Sequence, residues 1–191
     1  MIQKFIFGFL LLFSMEIIAQ KKQELGVFSE ENTWGKEILK FPLGFAREIP
    51  FEGFADIRFH KDWIKKDKAG FWSYLFAWHV KGSQKPTIQN LENYMKLYYD
   101  GLVDGKRKDI PQSMVLFIKS NSLDTDHIGK IKVFDRFVTN KVISLNVLVK
   151  TFYCKEKRTS TILFRVSPQS FNHKIWNELY DVKLKENLCI E

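Results

Sequence analysis

The sequence predicts an α+β fold: an antiparallel sheet of about five to seven strands, packed with two amphipathic helices in one domain. Residues 114–167 contain four apolar runs, and the polar links at 139–141 and 155–160 are short enough for antiparallel hairpins. Segments 87–105 and 170–185 repeat apolar residues every three or four positions, as helices do. No repeat or linker divides residues 41–191, so we expect them to form a single domain.

The first 19 residues predict a secretory signal peptide. Lys4 precedes an apolar run over residues 5–13, and Ala19 is a small residue suited to cleavage. The run is shorter than the roughly 20 residues of a membrane helix, although an uncleaved signal anchor remains the alternative because Glu16 is atypical. We therefore expect export to the periplasm or the cell surface, and a loosely structured lead-in over the polar residues 20–40.

The early part of the domain predicts three strands. Residues 45–49 suit a short strand, and residues 55–60 alternate between apolar and polar. Residues 71–80, FWSYLFAWHV, are rich in aromatic residues, which favour strands. Period two places five side chains of this run on one face. They are Trp72, Tyr74, Phe76, Trp78 and Val80.

This aromatic strip has two interpretations. It can be core, because burying large rings stabilises a domain and contiguous exposed rings are costly. It can instead be a stacking platform for a flat ligand, with Trp72, Tyr74 and Trp78 as binding residues. We favour the core and retain these three residues as candidate ligand contacts.

The four later strands carry a second candidate site. Residues 114–119 are apolar on both faces, which predicts a central strand, and residues 129–138, 142–154 and 161–167 follow. Five basic residues lie on these last three strands and form a candidate patch for an acidic ligand. They are Lys130, Lys132, Arg136, Lys150 and Arg165. The alternative is an ordinary solvated sheet face.

Charge and cysteine content indicate the partners and the compartment. The formal net charge is +8, which favours anionic envelope components such as an acidic glycan or lipid, with a protein partner also open. Nucleic acid is not expected, since no recognition motif accompanies the export signal. Cys154 and Cys189 are the two cysteines, and an exported chain favours a disulfide between them.

Catalytic motifs are mostly missing from the sequence. There is no nucleophile elbow, zinc-protease motif, phosphate loop or dinucleotide fingerprint, and we predict no cofactor and no metal. Residues 100–111 resemble a calcium loop but lack its required oxygen ligands. Asp124, Asp126 and His127 are the remaining acid–base or metal candidates, and a plain polar loop is the competing interpretation.

The combination of IRFHKDW, FWSYLFAW, a tyrosine-rich helix and FRVSP resembles uncharacterised small exported proteins of Gram-negative bacteria. The resemblance implies export and a single domain, and no activity or ligand. The sequence thus predicts an exported, non-catalytic envelope protein with a binding or assembly role. The alternative is a hydrolase-like envelope enzyme that uses Asp124, Asp126 and His127.

Overall fold

The computed structural model describes residues 25–29, 33–82, 86–103 and 109–189 of the 191-residue chain. In chain order the elements are β1 (Gly35–Lys40), β2 (Gly53–Phe59), β3 (Tyr74–Lys81), α1 (Ile88–Leu102), β4 (Met114–Lys119), β5 (His127–Asp135), β6 (Lys141–Cys154), β7 (Thr159–Ser167) and α2 (Ile175–Asp181). The strands form one antiparallel sheet in the order β1-β2-β3-β7-β6-β5-β4. The predicted α+β class with two helices in one domain is confirmed.

The larger core lies on one face of the sheet, which we call the inner face. Phe76 of β3 and Phe164 of β7 are register partners here, and their stacked rings lie 4.6 Å apart. Helix α1 covers this face: Leu91 and Met95 are fully buried, and Tyr98 stacks on Phe76 at 5.3 Å. Alternation within each strand sends the other side chains to the outer face.

A smaller core occupies part of the outer face. Helix α2 and residues 25–29 pack over β3 and β7 at Leu75 and Leu163. Beside them lies a buried ion pair between Asp56 and Arg58, and the Val27 backbone N–H donates to the Asp56 carboxylate at 2.8 Å. The buried charges are therefore paired and hydrogen-bonded, as burial requires.

Strand β4 is an edge strand, so the prediction that residues 114–119 form a central strand was wrong. Val115 and Phe117 pack on the inner core, whereas the alternate side chains Met114, Leu116 and Ile118 are exposed. Helix α1 lies along the open edge and supplies two hydrogen-bond acceptors. Asp100 Oδ1 accepts the Ser113 N–H at 2.6 Å, and Glu92 Oε1 accepts the Phe117 N–H at 2.8 Å.

The structure also differs from the predicted element boundaries. Part of the expected loose lead-in is ordered, because residues 35–40 form β1 and Val27 and Phe28 are buried. Residues 45–49 form turns instead of a strand, and residues 71–73 are a turn that precedes β3. The helix predicted over residues 170–185 spans residues 175–181, and a short 3-10 helix, Glu186–Leu188, follows it. The predicted signal peptide lies outside the described residues.

Covalent linkage fixes the end of the described chain. Cys154 at the end of β6 and Cys189 form a disulfide, with Cα atoms 5.2 Å apart, as the cysteine count predicted. Thr87 caps α1 by accepting the Asn90 N–H at 3.2 Å. Among the described residues, no helix is long and apolar enough to cross a membrane.

Candidate functional site

An aromatic cavity opens on the inner face beside the end of α1. Its volume is about 380 Å³, which lies within the usual range of small-molecule sites, about 300–1,000 Å³. Its lining is Glu37, Leu39, Phe45, Ile57, Phe59, Trp63, Trp72, Tyr74, Tyr98, Leu102 and Phe137. Seven of these eleven residues are aromatic. We refer to this site below as the aromatic cavity.

The floor of the aromatic cavity is held by the loop between β2 and β3. The Trp72 N–H donates to the Trp63 carbonyl at 3.0 Å, which brings the two indoles together with ring centroids 5.4 Å apart. Gly70 makes this loop possible: a Cβ there would lie 1.9 Å from Nδ1 of His60. His60 is itself fixed by the Asp62 N–H at 3.1 Å and by Glu178 of α2 at 3.0 Å.

Trp72 adopts an unusual backbone conformation for a bulky residue. Its φ is +47°, in the left-handed region that aromatic side chains rarely occupy. Such conformations cost about 1–3 kcal/mol and cluster at functional sites. The strained position places Trp72, which is fully buried, in the lining of the cavity.

Two indole nitrogens of the lining have no hydrogen-bond partner among the described residues. They belong to Trp63 and Trp72, and both nitrogen atoms are buried. An indole N–H is a donor only, and a buried donor without a partner costs about 1–3 kcal/mol. Both residues line the aromatic cavity, but their indole nitrogens are shielded from water, so an acceptor in the cavity would reach them only after a small shift of the lining side chains.

The rim of the cavity is more exposed than the floor. Phe137 projects from the β5–β6 turn and contacts Trp63 at 5.7 Å and Trp72 at 5.9 Å between ring centroids. Asp135 builds that turn: its carboxylate accepts the N–H groups of Phe137 at 3.0 Å and Thr139 at 2.8 Å. This turn ends β5 at Asp135, so Phe137 does not continue the predicted strand 129–138.

The lining of the cavity carries little charge. Glu37, an exposed residue of β1, is the single charged side chain among the lining residues. Burial raises the pKa of Tyr74 and Tyr98 well above the ordinary tyrosine range, with neighbouring tyrosines and, for Tyr98, Glu37 adding to the effect. Both phenols are therefore neutral at physiological pH. The Tyr74 hydroxyl shares a buried hydrogen bond with that of Tyr99 of α1.

The aromatic strip is buried on the inner face, and its members have different surroundings. Trp78 packs within the core against Phe51 and Phe164 and does not line the cavity. Trp72 and Tyr74 are both core residues and cavity lining. The strip therefore shields its rings from water while two of them border an open space.

The predicted basic residues are only partly brought together. Lys130, Lys132, Lys150 and Arg165 share the outer face, as the strand registers show. Lys130 and Lys132 are exposed, whereas Lys150 pairs with Asp126 at 3.2 Å. Arg165 is buried: it donates to the Leu179 carbonyl at 3.1 Å and lies over the Tyr180 ring. Arg136 follows β5 in the turn and is exposed.

The acid–base candidates have mainly structural contacts. The Asp126 carboxylate accepts the Thr151 N–H at 2.7 Å and the Lys150 ammonium, and Asp124 is exposed in the preceding loop. The ligand atoms of Asp124, Asp126 and His127 do not all lie within 4.8 Å of one another. Within the described ranges, the converging donor set is Cys154, Glu156 and Cys189, and the disulfide consumes both sulfurs.

Most of the cavity lining was not singled out from the sequence. Glu37, Phe45 and Leu102 come from three separate segments, which only the fold brings together. Phe59 and Trp63 are the two ends of the short stretch FHKDW, and their apolar side chains are a local feature that the sequence does show. No pattern in the sequence indicated that an open space lies between these side chains.

No protein-family model matches the chain, and neither the curated proteins nor the solved structures contain a match. The resemblance to small exported proteins therefore stays a prediction.

Proposed function

We propose that this protein is an exported, non-catalytic binding protein that holds a small, neutral, apolar ligand in the aromatic cavity. The observation that carries the proposal is the combination of an aromatic space of about 380 Å³ with two buried indole donors that have no partner in the part of the chain that the structure describes. Apolar walls with a few placed polar groups are typical of small-molecule sites. A ligand with one hydrogen-bond acceptor would satisfy both features.

The charge of the lining argues for a neutral ligand over an acidic one. Glu37 is a carboxylate, and the lining contains no lysine or arginine. An acidic glycan or lipid headgroup would meet no compensating charge in this cavity, although desolvating a charge requires one. Anionic components suit the exposed lysines of the outer face better.

Export is part of the proposal and rests on the leader sequence. The disulfide between Cys154 and Cys189 is compatible with an oxidising compartment. Mass spectrometry of the protein produced from the full chain would test this part. We expect a mature N-terminus at Gln20, and a predominantly uncleaved Met1 terminus would contradict cleavage after Ala19.

Binding in the cavity can be tested with N-phenyl-1-naphthylamine, a neutral two-ring fluorophore whose emission rises in apolar sites. We expect one saturable site per chain. Leu102→Phe adds bulk to the lining and should weaken binding about tenfold or more, because well-packed walls leave no room for the probe. Ile64→Phe, an exposed site outside the cavity, is the matched control and should bind as the wild type does.

A wild-type protein without saturable binding would remove the proposed function. Equal weakening by Leu102→Phe and Ile64→Phe would place the probe outside the cavity. Thermal unfolding of both variants shows whether the fold is intact, so a loss of binding is not confused with a loss of structure.

A further inference from the structure

The elements of the smaller core leave one half of the outer face of the sheet uncovered. Met114, Leu116 and Ile118 of β4 point to this face and are 66%, 63% and 59% exposed. Their register partners on β5 are Lys132, Lys130 and Ile128. We call these six residues, together with Phe171, the outer sheet patch.

The outer sheet patch contains a shallow groove of about 370 Å³. Its apolar lining comprises Leu116, Ile118, Ile128 and Phe171, and Phe171 is 43% exposed. Lys130 borders the groove, and no acidic side chain is among its lining residues. The patch therefore combines exposed apolar side chains with positive charge.

Two other uses of this surface are disfavoured by the contacts around it. A strand added to β4 would have to displace α1, whose Glu92 accepts the Phe117 N–H and whose Asp100 accepts the N–H of Ser113, the residue before β4. Face-to-face pairing of two copies would bring Lys130 and Lys132 of both into one interface, and like charges there are costly.

We propose that the outer sheet patch docks on an anionic lipid bilayer. Met114, Leu116, Ile118 and Phe171 would enter the boundary between headgroups and acyl chains, as the apolar face of an interfacial helix does. Lys130 and Lys132 would contact the lipid phosphates, where each cation strengthens surface binding. The formal net charge of +8 adds long-range attraction to the same surface.

This site is independent of the aromatic cavity, because the two lie on opposite faces of the sheet. It goes beyond the proposed function by assigning a second partner. A protein attached through the outer sheet patch keeps the inner face directed away from the bilayer, so membrane attachment and cavity occupancy can be measured separately.

The test is co-sedimentation of the protein, produced from the full chain, with vesicles of phosphatidylcholine alone or mixed with phosphatidylglycerol. We expect binding to the anionic vesicles that weakens at high salt, because salt screens surface charge. The double variant Lys130→Glu/Lys132→Glu should lower the partition coefficient about tenfold or more. Lys66→Glu/Lys68→Glu, at two exposed lysines of the β2–β3 loop, changes the net charge equally and is the control.

A second pair of matched variants tests the contribution of the apolar side chains. Leu116→Ser should weaken binding to anionic vesicles several-fold, whereas Ile64→Ser should not, although Ile64 is 61% exposed and Leu116 63%. Both positions are on the surface, so neither variant is expected to unfold.

Three results would overturn the proposal. The first is a lack of binding to anionic vesicles at low salt. The second is an equal loss in the two charge-reversal variants, which would mean that net charge alone attracts the protein. The third is a concentration-dependent dimer that Leu116→Ser dissolves, since the patch would then be an interface between copies of the chain.

Discussion

Trp72 is the residue on which the proposed ligand chemistry depends. It combines a φ of +47°, full burial and an indole N–H without a partner among the described residues. Trp78 belongs to the same aromatic strip and also has a buried indole N–H without a partner among the described residues. It lies outside the cavity lining. The two residues therefore provide an internal comparison between a donor at the cavity and a donor in the core.

The first prediction concerns the acceptor that we expect on the ligand. 2-Acetylnaphthalene should displace the fluorophore at a lower concentration than 2-ethylnaphthalene, by about 2- to 13-fold, since a net hydrogen bond contributes about 0.5–1.5 kcal/mol. Trp72→Phe keeps a ring and removes the donor, so it should abolish this preference. Trp78→Phe should preserve it. A preference that survives in Trp72→Phe would assign the donor elsewhere.

The second prediction concerns the buried hydroxyl pair of Tyr74 and Tyr99. Either single change to phenylalanine leaves one buried hydroxyl without its partner, so each should lower the free energy of unfolding by about 1–3 kcal/mol. The double variant removes both hydroxyls and should cost less than the sum of the two. Urea denaturation measures all four proteins. Additive losses would show that the two hydroxyls do not depend on each other.

At the scale of elements, α1 has two tasks. It covers the inner core with Leu91, Met95 and Tyr98, and it closes the edge of β4 with the carboxylates of Glu92 and Asp100. An open strand edge invites pairing with another chain. The helix thereby allows an apolar strand such as MVLFIK to lie at the edge of the sheet.

The third prediction follows from this edge closure. Glu92→Ala removes the acceptor of the Phe117 N–H and should cost about 1.5–3 kcal/mol of stability, the range for hydrogen bonds to charged groups. It should also promote self-association, seen as earlier elution in size-exclusion chromatography at high concentration. Glu92→Gln retains an amide oxygen as acceptor and should stay close to the wild type. If both variants behave alike, the edge is closed by packing and not by this bond.

The same elements show how far sequence patterns reach. Period-two alternation placed Tyr74, Phe76 and Trp78 on one face, and that face packs in the core, because the period records which side chains share a face. It could not show which strands lie at the edges, so the apolar run 114–119 was assigned to the centre. An edge strand that a helix covers on its open side has an apolar sequence similar to that of a central strand, because its backbone groups and one face are protected in both cases.

At the scale of the whole molecule, the sheet separates two surfaces of different chemistry. The inner face holds the aromatic cavity, and the outer face holds the outer sheet patch with its exposed lysines. The sequence predicted aromatic and basic candidates but not this arrangement. The cavity is assembled from β1, β2, β3, α1, the β1–β2 and β2–β3 loops and the β5–β6 turn, and such long-range convergence leaves no local signature.

The fourth prediction concerns the disulfide, which ties the described C-terminal end to β6. Its two cysteines are 35 positions apart, and closing such a loop stabilises by about 4 kcal/mol in the chain-entropy model. For a protein of this size, Cys154→Ser/Cys189→Ser should lower the melting temperature by about 8–16 °C. Reduction of the wild type should have a similar effect. An unchanged melting temperature would mean that the link does not constrain the unfolded chain.

The most direct test of the account is a crystal structure of the protein with 2-acetylnaphthalene. We predict the naphthalene rings within the aromatic cavity, against Phe59, Tyr98 and Phe137, and the ketone oxygen within hydrogen-bonding distance of the Nε1 atom of Trp72. A ligand bound elsewhere, or a cavity filled by the protein's own side chains, would contradict the claim that this space is a binding site.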